Sequence, residues 1–196
     1  MRPISTELGD KIRVTAEVFA EHGFDGATIS AISKATGVPT STIYYNFDGK
    51  LEILAFLLRA WLDRTSVVVQ EAVAGADSAA VRLARLIDAH MYSMAHDPST
   101  FQVLFAEQGR IGRLPDVSDA VQEVFHRPLA ELLVQGAADG SLKDVTVETA
   151  TSAIYGAVTF SGLRKIVTSD GGVPAFDPGP VSAEVGEIVL KGLVPE

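Results

Sequence analysis

The chain has no cysteine, which excludes disulfides and thiolate metal centres and suits a reducing cytoplasm. It has no apolar run long enough to span a bilayer. Its opening stretch, MRPISTELGDKIRVTAEVF, mixes acids and bases where a signal peptide needs an uninterrupted apolar core. A soluble cytoplasmic protein without membrane contact is the reading. No segment alternates apolar and polar residues with period two, so no strand is expected. Glycine-rich phosphate loops, G-x-S-x-G elbows and H-E-x-x-H pairs are missing, and His22, His90, His96 and His126 have no spacing typical of a metal site. The nearest approach to a catalytic group is His96 and Asp97 with Glu107, yet adjacent residues on a helix diverge. No enzyme, metal site or cofactor is expected.

What is present is helical periodicity over 196 residues, 47% of them hydrophobic, ample for a packed core. The sharpest pattern is Thr28 to Lys50, TISAISKATGVPTSTIYYNFDGK. Thr28 can cap a helix whose Ile29, Ile32 and Ala35 recur at helical spacing. Gly37 suits the left-handed residue that ends it, and Val38 can tuck the turn inward. Pro39 suits the first turn of a second helix, with Ile43 and Phe47 buried. That predicts a helix-turn-helix with Thr40, Ser41, Thr42, Tyr44, Tyr45 and Asn46 facing outward. Hydroxyls and amides donate to phosphate oxygens, Asn can bond adenine twice, and tyrosine offers a ring to a thymine methyl.

The net charge of -9 runs against a general nucleic-acid binder, because phosphate contact rewards lysine and arginine. Residues 1–50 hold five basic against six acidic side chains, and the other 146 residues hold eleven against nineteen. The acidity therefore lies mostly outside the DNA-binding stretch. Weak non-specific affinity and reliance on a dimer spanning two half-sites are expected.

Around this stretch the chain reads as further helices. Thr6 to His22 carries Leu8, Ile12, Ala16, Phe19 and Ala20 on one face and ends at Gly23. A long helix, Leu51 to Val73, is apolar enough to be buried on more than one face and is a plausible lever between domains. Ser78 can cap a helix to His96 with His90 on its apolar stripe, as a core residue or as a polar group in a cavity. Asp97 and Pro98 open a short helix, and Gly109 to Pro115 is expected to be a loop. Asp116 to Gly136 is helical with Pro128 in its middle, which predicts a kink near Val124 and Phe125. Asp144 or Thr146 can start a helix to about Thr168, rich in Ala150, Ala153, Gly156, Ala157, Ser161 and Gly162. Thr168 to Pro180 is dense in Gly and Pro and is expected to be an exposed, mobile loop before a last helix, Val181 to Leu193.

Residues 28–50 resemble the N-terminal signature of the TetR-like family of transcriptional repressors. Thr28, Ile32, Gly37, Val38, Ile43, Tyr44, Phe47 and Lys50 match it. Ser33, Thr36, Pro39 and Ser41 depart from its commonest form, and Pro39 lacks the hydroxyl that would cap the reading helix. The resemblance implies that Thr28 and Lys50 bind phosphates and that Tyr44 touches the DNA backbone. It implies further that Ser30, Thr40, Ser41, Thr42, Tyr45 and Asn46 face phosphates or base edges.

The expected architecture is all-α, with a three-helix DNA-binding domain over residues 1–50 and a larger helical domain over residues 51–196 for effector binding and dimerisation. The expected partners are double-stranded DNA with a palindromic operator, a small, largely apolar effector, and a second copy of the chain. Trp61, His90, Met94, Phe105, Phe125 and Tyr155 are cavity candidates, being large or polar on apolar helix faces. Ala153, Gly156 and Ala157 with Val185, Ile188 and Val189 are the candidates for a four-helix dimer interface. The competing readings are a helical small-molecule carrier or interaction protein that has lost DNA binding, favoured by the acidity, and an all-α enzyme, favoured by nothing positive.

Overall fold

The computed structural model describes residues 4–167 and 176–195, and among these every regular element is helical. The chain divides into two compact units, Met1–Trp61 with Ser99–Ser118 and Leu62–Pro98 with Asp119–Glu196.

The first unit begins with α1 (Thr6–Arg13) and α2 (Thr15–Gly26), which fill the span expected as one helix. Between them Val14 tightens the path, donating to the carbonyl of Lys11 at 3.4 Å in place of the one four residues back. Gly23, at φ 68°, breaks the path inside α2 and marks the expected helix end. Phe24 then turns inward beside Phe19, with ring centroids 5.5 Å apart. Next come α3 (Ile29–Thr36), α4 (Thr40–Asn46) and the first half of α5 (Lys50–Val73), joined by α7 (Pro98–Ala106), α8 (Gln108–Ile111) and the start of α9 (Pro115–Val121). Ile12, Phe19, Ile32, Ile43, Phe47, Leu54 and Trp61 are buried in this unit. The expected loop Gly109 to Pro115 is in part the helical turn α8. Burying Ile111 makes that turn favourable, and Ile111 donates to the carbonyl of Glu107 at 3.0 Å.

The second unit contains α6 (Ala79–His96), a π-helical turn (Gln122–His126), α10 (Arg127–Asp139), α11 (Val147–Val167) and α12 (Pro178–Leu193). Helices α10, α11 and α12 all pack on α6. Ser78 occupies the cap position of α6 without making the bond. Asp139 Oδ2 and Ser141 Oγ accept from the backbone N–H groups of Ala79 and Ala80 instead. The last helix starts at Pro178 rather than Val181, because Asp177 accepts from the N–H of Gly179 at 3.0 Å. Of the expected loop Thr168 to Pro180, residues 168–175 lie outside the described residues.

Pro128 shapes the middle of this unit. It has no N–H to give the carbonyl of Val124, four residues earlier. The chain resolves this with a π-helical turn over Gln122–His126, where a kink was expected. His90 Nε2 donates to that carbonyl at 3.3 Å from α6, and its ring lies 4.7 Å from that of Phe125. Burial, reinforced slightly by His126, pushes the His90 imidazole down to about 4 although the hydrogen bond opposes the shift.

The unfolded chain takes up this proton near pH 6.5, the folded chain only near pH 4. The stability held by neutral His90 is therefore complete above pH 6.5 and lost as pH falls. At about 1.4 kcal/mol per pH unit, urea titrations should show a loss of about 2 kcal/mol between pH 7 and pH 5. His90→Asn should flatten that slope, and an unchanged slope would place the acid sensitivity elsewhere.

Candidate nucleic-acid interface

The turn between α3 and α4 is held from several sides. Thr28 Oγ1 accepts from the N–H of Ala31 at 3.0 Å, which leaves its hydroxyl proton free to donate outward. Gly37 is left-handed at φ 68°. Thr36 Oγ1 donates to the carbonyl of Ile32 at 2.7 Å and accepts from the N–H of Val38 at 3.2 Å. Ser33 Oγ donates to the carbonyl of Val38 at 2.7 Å. The two hydroxyls that depart from the commonest pattern therefore lock the turn. Pro39 takes the cap position of α4 and, as its missing hydroxyl dictates, makes no side-chain cap bond.

This frame presents a polar face. Ser30, Thr40 and Ser41 are exposed, Tyr44 and Tyr45 are 63% and 70% exposed, and Thr42 and Asn46 are half-buried. Asn46 Nδ2 donates one of its two hydrogens to the carbonyl of Thr42 at 2.8 Å, which orients the amide while Oδ1 and the second hydrogen remain for a paired contact to adenine.

Lys50 stands apart from the expected phosphate role. Its ammonium donates to the carbonyls of Phe24, Asp25 and Ala27 at 2.7, 3.1 and 2.7 Å, a carbonyl for each of its three donors. It also lies 4.9 Å from the Phe24 ring centroid, while the Arg110 guanidinium lies 4.4 Å from the same centroid. Arg110 bonds Glu107 at 2.7 Å and Asp25 at 2.5 Å. The stretch that positions α3 is thus gripped by two cations. In the sequence Arg110 is only a charge in the expected loop Gly109 to Pro115, since nothing there joins it to a residue 85 positions away.

The cavity candidates divide between the units. Trp61 is buried with its ring 6.0 Å from Phe101, and Phe105 is half-buried, both in the first unit. His90, Met94, Phe125 and Tyr155 belong to the second. There the rings of His90, Phe125, Tyr155 and His126 follow one another at centroid distances of 4.7, 5.7 and 4.5 Å. Met94 fills the place left by the missing side chain of Gly162, where a Cβ would lie 2.7 Å from its sulfur.

The interface candidates divide by face. Ala153 and Ala157 are exposed, Gly156 has open space beside it, and Ile188 is 73% exposed. Val189 is half-buried, whereas Val185 is only 8% exposed and belongs to the inward face of α12. Phe160, 61% exposed on α11, extends the outward set. Gly162, counted among the small residues of α11, serves packing within the subunit.

The family described as bacterial regulatory proteins, tetR family, matches residues 12–56. The repressor KstR2 of Rhodococcus jostii is 31% identical over 153 residues, covering 74% of this chain and 71% of the relative. The chain belongs to the TetR family. This TetR-family protein is a DNA-binding transcriptional regulator, and the α3–α4 pair is its helix-turn-helix. KstR2 of Mycolicibacterium smegmatis is 26% identical over 191 residues, covering 93% of this chain and 88% of the relative. The fatty acid metabolism regulator of Bacillus subtilis is 25% identical over 185 residues, covering 93% of each. The fold matches that of the ketosteroid regulator KstR2 of Mycobacterium tuberculosis with a TM-score of 0.81 at 22% identity, covering 99% of this chain and 98% of that one. It also matches the Bacillus subtilis regulator FadR, solved in complex with stearoyl-CoA, with a TM-score of 0.77 at 23% identity, covering 93% and 97%. Among the described residues no helix is long and apolar enough to cross a membrane.

Tyr44→Ala should weaken operator binding without changing stability, because Tyr44 is exposed. Lys50→Met should lower the unfolding free energy by about 1–3 kcal/mol, the cost of leaving carbonyls without a charged donor. Urea denaturation with anisotropy titration separates the two. A Lys50→Met protein of unchanged stability but reduced DNA affinity would return Lys50 to a phosphate.

Proposed function

We propose that this TetR-family regulator is a cytoplasmic homodimeric repressor. In this reading residues 1–50 bind one half of a palindromic operator, and residues 51–196 bind an effector that releases the DNA. Tyr44 meets the phosphate backbone, while Ser30, Thr40, Ser41, Thr42, Tyr45 and Asn46 meet phosphates or base edges. The observation that carries the reading is the set of outward apolar residues on α11 and α12: Ala153, Ala157, Phe160 and Ile188 are exposed in the single chain, and Gly156 has open space beside it. Two such faces, paired about a two-fold axis, form a four-helix bundle and set two reading helices on successive half-sites.

The effector has a long apolar body, and we take it to be a fatty acyl thioester. Two of the comparisons support that class, the Bacillus subtilis fatty acid metabolism regulator and the FadR structure from the same organism, which holds stearoyl-CoA. His90, Met94, Phe125 and Tyr155 belong to the apolar interior of the second unit, and such a body would enter there by displacing packed side chains. Met94 is unbranched and can swing aside, and the π-helical turn beside Phe125 is an irregular segment able to adjust.

Selection of duplexes from a random pool should enrich a palindrome, and micromolar stearoyl-CoA should release it. Gly156→Glu places a charge in the outward face, so it should sediment as a monomer and lose operator affinity. A variant that stays dimeric would move the interface elsewhere. Enrichment of a single, non-repeated site would end the palindrome reading.

A further inference from the structure

Charged side chains make up 21% of this chain, yet residues 26–47, which hold both helices of the helix-turn-helix, contain a single one. It is Lys34, a cation in a chain of net charge -9. Helix α3 turns Ile32 and Thr36 inward and leaves Lys34 exposed. Ser30, four residues earlier, is exposed as well, so the two share one face about 5–6 Å apart.

Among the described residues no carboxylate or carbonyl engages the Lys34 ammonium. The other cations of residues 4–50 are committed. Lys11 bonds Glu7 at 2.8 Å, Arg13 lies 3.5 Å from Asp10, and Lys50 donates to three carbonyls. Asp25, the acid just before the stretch, is taken by Arg110. Lys34 is thus an open positive charge on a surface otherwise without charge, next to a hydroxyl. The first helix of a helix-turn-helix crosses the DNA backbone while the second enters the major groove, so a long side chain on α3 meets phosphates before base edges. Lysine suits that task, because its ammonium is a point charge on a flexible stem and needs no fixed geometry.

We propose that Lys34 is the phosphate anchor of the helix-turn-helix, its ammonium meeting a backbone phosphate beside the groove that α4 enters, with the Ser30 hydroxyl next to it. It supplies the sequence-independent attraction that Lys50, spent on carbonyls, does not. The inference rests on the DNA-facing surface proposed above and needs neither the dimer nor the effector.

The test is an anisotropy titration of the full chain on two labelled duplexes of unrelated sequence, at several salt concentrations. Lys34→Gln removes the charge and keeps a long, helix-favouring side chain. The slope of log affinity against log salt should fall by about 0.9 for each copy bound, on both duplexes. Over the decade from about 1 M to about 0.1 M salt, that amounts to a loss of about eightfold per copy at the lower concentration. Lys34→Arg should keep the parent's slope, and the urea midpoint should be the same for all three proteins. An unchanged slope for Lys34→Gln overturns the proposal. So does an affinity loss equal at every salt concentration, which marks a structural role, or a loss on one duplex alone, which puts Lys34 on a base edge. A parent protein that ignores both duplexes at low salt has no such anchor. Tyr44→Ala, titrated alongside, reports on the reading face by itself: if it binds as the parent does while Lys34→Gln loses slope, the anchor stands and the face is misplaced.

Discussion

The missing N–H of Pro128 organises the second unit. A helix that must pass through proline loses the bond to the carbonyl four residues back, and a buried carbonyl cannot be left bare. Two features answer this: the π-helical turn over Gln122–His126 and the hydrogen bond from His90 Nε2 to Val124 at 3.3 Å. Because the donor comes from α6, the irregularity is tied to the helix on which α10, α11 and α12 pack. The histidine must stay neutral in its buried place and keep its proton on Nε2. One absent hydrogen thus fixes the tautomer of His90 and the local path of the helix. His126, at the end of that turn, lies beside Tyr155 with ring centroids 4.5 Å apart.

In the first unit the corresponding constraint is the end of α2. Gly23 breaks the helix and leaves the carbonyls of Phe24, Asp25 and Ala27 facing a single ammonium group, that of Lys50. Phe24 fills the space between Lys50 and Arg110, and Asp25 anchors Arg110. The position of α3, and through the bonded turn that of α4, follows from this grip. Residues Ser99–Ser118, distant in sequence, belong to the same compact unit and contribute Arg110 to it. A change in that segment therefore acts directly on the frame of the reading helix. Arg110 is a positioning residue, remote from the DNA-facing side chains.

What the sequence made legible was whatever is encoded locally. Thr28, Gly37 and the spacing of Ile43 and Phe47 suffice for the helix-turn-helix, because each acts within a few residues of itself. Pro128 announced a disturbance near Val124 for the same reason. The form of that disturbance was not legible, since it depends on His90 arriving from another helix. Asp139 and Ser141 capping α6 in place of Ser78, and Arg110 gripping Phe24, are likewise contacts across long separations. Periodicity also could not tell which small residues of α11 face inward: Gly162 receives Met94, while Gly156 stays open. Val185 illustrates the same ambiguity: it and Ile188 are both apolar and three positions apart on α12, yet only Ile188 is exposed.

The acidity of the chain acquires a meaning from these placements. Near the reading face Lys11 is bonded to Glu7 at 2.8 Å, Arg13 lies 3.5 Å from Asp10, and Lys50 is engaged by carbonyls. Helix α4 itself carries no charge. Few cations are left to release counterions, so binding gains little from phosphate attraction in general. Discrimination then falls on hydroxyls, the two exposed tyrosines and backbone donors, each of which contributes only when its geometry is met. Such a surface discriminates poorly as a single copy, because each contact is weak and none acts at a distance. Linking two copies rigidly raises the effective concentration of the second half-site without adding any charge. In the proposed dimer the exposed apolar residues of α11 and α12 and the weakly cationic reading face would therefore be complementary: the less the surface attracts DNA in general, the more operator recognition would rest on pairing two copies.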